Sequence, residues 1–198
     1  MPLAEPPAPA LPPFLLGEPK PLRWTKRQYY QIGDLGLLDN KRVELIEGEI
    51  IEMQPVGGEH IRGVNVGNRV LGRAFGDAFF VSVQNPFDVS DDIEPQPDLA
   101  VIAGDPAALA EAPSTAALIV EVSDSTLRYD RTTKTRLYAR AGVPEYWIVN
   151  LVDRVLEVYR QPQSSGGYAD VRLCRPGETL TPFAAPPQAV IAVADLLP

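Results

Sequence analysis

Two carboxylates, Asp98 in "QPDLAVIAG" and Glu121 in "AALIVEVS", stand against apolar runs that read as core strands. A buried carboxylate without a partner is costly, so each must be paired, bound to a metal or exposed. If the two runs form an antiparallel hairpin with Ala103 opposite Ala116, counting back places Asp98 directly opposite Glu121. Opposed residues of such a pair point to one face, with their side chains close together. Like charges at that distance require a compensating positive group or a shared proton. A divalent cation is the simplest compensator. Carboxylates with no His or Cys nearby suit a hard ion, magnesium or manganese. Asp98 alone would read as a solvated strand end; two carboxylates converging in register read as a site.

Lys134 is the next group of interest. It lies early in the helix expected after the Glu121 strand, and strand, short turn and helix start place it over the carboxylate end of the sheet. Asp130, four residues earlier, shares its helical face and can orient or pair it. Taken alone, the two would be an ordinary exposed surface pair.

Other chemistries are excluded by composition. One cysteine, Cys174, rules out an internal disulfide and a cysteine-cluster zinc site. The one histidine, His60, rules out a His-rich metal site and would have to serve any Ser-His-Asp triad, for which no G-x-S-x-G is present. There is no phosphate loop and no G-x-G-x-x-G. The net charge of −8 argues mildly against broad nucleic-acid binding, though arginines and lysines can still cluster locally. No apolar stretch approaches the ~20 residues of a membrane helix, so no membrane role is expected, and a reduced cytoplasmic compartment is the default.

The elements that must position these residues follow from pattern. Eight of the 21 prolines fall in the first 21 residues, so residues 1–22 read as an extended arm ahead of one domain, 23–198. "WTKRQYYQIGDLGLLDN" predicts a short helix capped by Thr25. "RVELIEGEIIEM" predicts a hairpin about Glu47-Gly48. "GGEHIRGVNVGNRVLGRAFG" has helical spacing despite its glycines. "FFVSVQNPFDVS" gives one or two strands around Pro86, and the run from Asp98 to Ala103 gives another. After the Glu121 strand, "DSTLRYDRTTKTRLYARAG" is a helix ending at Gly142. "PEYWIVNL" and "RVLEVYRQ" are strands joined at Val152-Asp153, and Tyr138, Trp147 and Val149 are expected in the core. The fold class is α/β or α+β, one mixed sheet with helices against it.

With "QPD" followed by "IVEVS", the chain resembles the PD-(D/E)XK nuclease superfamily, with its restriction-endonuclease-like fold. "VELIEGEIIEM", "QNPFDV", "QPDLAVI", "LIVEVSDSTLRYDRTTKTRLYARAGVPEYWIV" and "RVLEVYR" are similar to the Uma-two type of bacterial endonucleases, over about residues 23–197. The resemblance implies a metal-dependent nuclease, with DNA as the expected substrate, Mg2+ or Mn2+ as cofactor and a homodimer as the assembly. It implies Asp98 and Glu121 as metal ligands, with the Val122 carbonyl a further one. Glu44 matches an acidic position that binds metal directly or through water, and Gln84 a polar position facing the site. The superfamily's lysine stands two residues after the glutamate; here that position is Ser123, so Lys134 must supply the function, exposed on its helix and held by Asp130. Glu44 is expected at the rim of the site. His60 is placed near phosphate or, as a lone histidine at a helix start, in a structural role. Arg128, Arg131 and Arg136 are candidate backbone contacts or a solvated helix face. The alternative function is a nuclease-fold module that binds protein or nucleic acid without catalysis.

Overall fold

Thr25 opens the described part of the chain with a full capping box: its hydroxyl accepts from the Gln28 amide while the Gln28 side chain returns to the Thr25 amide, starting α1 at Lys26–Asp34. The computed structural model describes residues 20–198; the arm expected at 1–22 lies, up to residue 19, outside the described residues. β1 (Val43–Ile46) and β2 (Glu49–Glu52) pair about Glu47-Gly48, as expected. Both turn residues have positive φ, 50° and 75°, the backbone that matches the twist of a two-residue hairpin. Along β1 the side chains alternate. Val43 and Leu45 pack with Tyr29 of α1, while Ile46 joins the main core on the other side. Glu44 shares the Ile46 face and therefore points inward.

The central sheet has six strands in the order β3-β4-β5-β6-β7-β8. They are β3 (Phe79–Val83), β4 (Leu99–Ala103), β5 (Leu118–Ser123), β6 (Glu145–Asn150), β7 (Val155–Gln163) and β8 (Gly167–Cys174). β5 and β6 are parallel and every other neighbour is antiparallel. This is the mixed sheet expected from the pattern. "FFVSVQNPFDVS" forms one strand only: Gln84 takes φ 51°, which ends β3 before Pro86. Two short strands, β9 (Thr179–Leu180) and β10 (Ile191–Ala192), form a separate pair near the C-terminus. Among the described residues no helix is long and apolar enough to cross a membrane.

Helices cover both faces. α2 (Gly58–Phe75) packs on the face formed by Leu99, Val101, Val120, Val122, Trp147 and Val149. Its glycines, which weakened the helical pattern, are where it meets the sheet. A Cβ on Gly63 would lie 2.7 Å from Val122 Cγ1, and one on Gly67 would lie 2.7 Å from Leu99 Cδ1. The opposite face, with Ala100, Ile119, Tyr146 and Ile148, packs against Leu137 and Tyr138 of the β5–β6 crossover helix.

That helix is not regular. It runs as α3 (Leu127–Tyr129), a π-turn at Asp130–Lys134, and α4 (Thr135–Arg140). Threonine hydroxyls compete for its carbonyls: Thr132 Oγ1 donates to Arg128 O at 2.7 Å and Thr135 Oγ1 to Asp130 O at 2.8 Å. Turns of this kind are frequent at functional sites.

Candidate active site

β4 and β5 pair with Leu99 opposite Val120 and Ala100 opposite Ile119, so Asp98 and Glu121 fall opposite each other one step further on. They lie on the face of Ala100 and Ile119, as the register argument requires. Here the two strands part, and each carboxylate takes a backbone amide of the other strand. Asp98 N–H donates to Glu121 Oε2 at 3.0 Å, and Val122 N–H donates to Asp98 Oδ2 at 2.9 Å. Both residues are buried.

Asp98 Oδ1 collects three further groups. His60 Nε2 lies 3.1 Å away, Gln84 Nε2 donates at 3.0 Å, and Arg42 Nη2 stands at 3.7 Å. The positive φ of Gln84 turns its side chain back toward β4, and the close seating of Gly63 on Val122 brings His60 of the same helix to Asp98. Burial pushes the Asp98 carboxyl up, but His60, Gln84 and the Val122 amide outweigh it and hold the group below the usual range. His60 shifts reciprocally: burial opposes its charge, yet Asp98 raises it above an ordinary imidazole.

Lys134 projects from the π-turn into this cluster. Its Nζ lies 2.7 Å from Glu44 Oε2 and 3.2 Å from Glu121 Oε1, and the side chain is 2 % exposed. Glu121 Oε1 also accepts from Tyr138 Oη at 2.7 Å. Burial pushes the Glu121 carboxyl up to about 8; Lys134 opposes the shift, while Asp98, Asp130 and Glu44 add to it. Burial alone would lower the Lys134 ammonium, but Glu121 and Glu44 more than reverse that, so it stays charged.

Three expectations are corrected here. Lys134 is not exposed, because two buried carboxylates draw it in. Glu44 is not at the rim: only 2 % of its side chain is exposed, since β1 turns it toward the core. Asp130 does not pair with Lys134. Its Oδ2 instead accepts from Ser123 Oγ and Thr126 Oγ1, both at 2.6 Å, which ties the start of the helix to the end of β5. Tyr138, Trp147 and Val149 are buried as expected, with Trp147 Nε1 donating to Glu145 Oε1 at 2.9 Å. For Val122 the contact is through its amide. Arg136 pairs with Glu47 at 2.9 Å, Arg131 with Glu157 at 2.6 Å, and Arg128 is exposed.

Sequence reasoning did not single out Arg42 or the hydroxyl of Tyr138. The signal for Tyr138 was its place four residues after Lys134, one turn along the same helix. The signal for Arg42 was its place two residues before Glu44, on the same face of the strand.

Arg42, Glu44, His60, Asp98, Glu121 and Lys134 line a cavity of ≈ 30 Å³ together with Met53–Val56, Asp124–Thr126 and Asp130. Such a volume holds a water or a single ion. Among the described residues no three His, Cys, Asp or Glu side chains are spaced as a metal cage. The expected cage is therefore not preformed, because both oxygens of Asp98 and of Glu121 face internal donors. The donor chemistry still fits a hard cation. Five carboxylates line the cavity, Glu44, Asp98, Glu121, Asp124 and Asp130, and buried Glu44 Oε2, although beside Lys134, makes no aligned hydrogen bond.

A mixed sheet carrying carboxylates at one end and a lysine from the crossover helix defines a class, the restriction-endonuclease-like fold implied by the motifs. Residues 27–194 match the Uma2 family model, described as "Putative restriction endonuclease", and the chain belongs to that family. A solved structure from Anabaena variabilis, described as a "putative nuclease belonging to DUF820", shares the fold with a TM-score of 0.68. It is 15% identical, and the match covers 87% of this chain and 97% of that one. No curated protein matches the chain.

Proposed function

We propose that the chain is a metal-dependent nuclease that hydrolyses phosphodiester bonds, with DNA as its substrate. The observation that carries this reading is the convergence of Asp98, Glu121 and Lys134 on one small cavity, from two strand ends and a π-turn, in a family described as "Putative restriction endonuclease". Asp98, Glu121 and Glu44 would hold Mg2+ or Mn2+, which when bound supplies Lewis acidity to a phosphate oxygen and lowers the pKa of a coordinated water. The remaining roles belong to the chain itself. His60, Gln84 and the Val122 amide orient Asp98; Tyr138 and Lys134 orient Glu121. Lys134, kept charged, is the donor for negative charge developing on the phosphate. The cavity is too small for a phosphodiester, so the scissile group would meet it from outside rather than enter it.

A second reading is supported by one observation. Lys134 already occupies Glu44 and Glu121, so the fold has no need of a cation to be stable and can serve as a binding module. Incubation with supercoiled DNA, RNA and a small phosphodiester, in Mn2+ or in chelator, separates the two. The nuclease reading expects cleavage in Mn2+ that chelator and Asp98→Asn abolish. DNA binding with no cleavage of any substrate overturns it in favour of the module.

A further inference from the structure

β6 runs parallel to β5 with Asn150 beside Ser123, so the β6–β7 turn emerges at the same edge of the sheet as Glu121. β7 begins there, and β8 ends there, with Cys174 opposite Leu156. At this edge lies a groove of ≈ 470 Å³ lined by Arg131 of the π-turn, Arg154 of the β6–β7 turn and Arg175 just past β8. Strand spacing of about 4.8 Å puts its near and far sides roughly 10–15 Å from Glu121. That is within a few phosphates of the cavity along a bound nucleic-acid strand.

The groove is built rather than accidental. Arg131 donates from Nε and Nη2 to Glu157, a carboxylate 2 % exposed that Asn150 and Tyr159 also hold. This fixes the guanidinium and leaves Nη1 free to donate outward. Asp153, the acid of the groove, is engaged by Asn150 Nδ2 at 2.9 Å and by Arg131 at 3.5 Å. Among the described residues, the exposed Arg154 and Arg175 side chains form no ion pair and no hydrogen bond with another side chain. In a chain of net charge −8, Arg154 and Arg175 add two uncompensated positive charges to a groove whose third arginine is already paired.

We propose that this groove binds the phosphodiester backbone of the substrate strand to one side of the scissile phosphate. The inference rests on the nuclease reading for its occupant, and its test keeps the two apart. Affinity of the full chain for a fluorescent DNA duplex is measured in chelator across a salt series, for the wild type, Arg154→Glu/Arg175→Glu, and the charge-matched Arg69→Glu/Arg73→Glu on the exposed side of α2. Groove reversal is expected to weaken binding roughly tenfold or more and to flatten the log K against log[salt] slope by about 2. The α2 reversal is expected to change affinity far less. Hydrolysis of bis(4-nitrophenyl) phosphate in Mn2+ should be equal in the wild type and the groove variant. Unchanged affinity and slope in the groove variant, equal losses in both variants, or no duplex binding by the wild type would overturn the groove. Hydrolysis absent from every protein, with the groove effect intact, would sink the nuclease reading alone.

Discussion

Lys134 Nζ and Glu121 Oε1 lie 3.2 Å apart, both side chains withdrawn from solvent, although 13 residues separate them in the chain. An exposed helical lysine would be almost free to mutate; this one is not. Lys134→Ala leaves Glu121 and Glu44 buried without their cation, a loss of about 3–5 kcal/mol for a buried pair with one partner removed. Urea unfolding should show that loss, and Mn2+-dependent cleavage should vanish. Lys134→Ala together with Glu44→Gln should recover part of the stability but none of the cleavage. Wild-type stability in the single variant would contradict the buried pairing.

Glu121 predicts a pH dependence. Its carboxyl is raised from 4.5 to about 8 by burial. A raised acid favours the protonated folded state, so its stabilisation is complete below pH 4.5 and is lost as pH climbs through about 8. Denaturation of the metal-free protein should therefore show stability falling across that window. In Glu121→Gln the fall should be shallower by up to a few kcal/mol. Parallel profiles for the two proteins would remove Glu121 as the titrating group.

Gly63→Ala tests how His60 is delivered. Alanine favours a helix by about 1 kcal/mol over glycine, but its Cβ would strike Val122, and overpacking costs about 1–3 kcal/mol. Lower thermal stability and weaker cleavage are expected together, because α2 must back away from β5 and take His60 from Asp98. A more stable, fully active variant would show that the close approach is dispensable.

Ser123 stands where the superfamily's lysine would be, fully buried and donating to Asp130. Ser123→Ala should cost about 1–3 kcal/mol by leaving the Asp130 carboxylate short of a donor, with a smaller effect on cleavage than Lys134→Ala. Introducing Ser123→Lys into Lys134→Ala should restore little activity, because the new side chain would have to displace Asp130. Substantial rescue would show that the strand position and the helix position are interchangeable.

The strand register was legible because period-two alternation and two apolar runs leave little choice of pairing, and it carried Asp98 and Glu121 to the same face. The hairpin was legible from Glu47-Gly48 and α1 from Thr25. The burial of Lys134 was not, because spacing along a helix says nothing of what covers it. Glu44 arrives from a hairpin 90 residues earlier in the chain, and the π-turn comes from threonine hydroxyls whose partners are fixed only in the folded state. His60 read as a lone histidine because its partner lies 38 residues away. Glycines that weakened the helical pattern proved to be the contact points that set α2 on the sheet.

The proposed nuclease requires Asp98, Glu121 and Glu44 to take up one cation. Calorimetric titration of the metal-free chain with Mn2+ at pH 8 tests it most directly. About one ion bound per chain is expected in the wild type, with binding lost in Asp98→Asn and in Glu121→Gln while both variants remain folded by circular dichroism. No binding to the wild type, or binding that survives both substitutions, would contradict it.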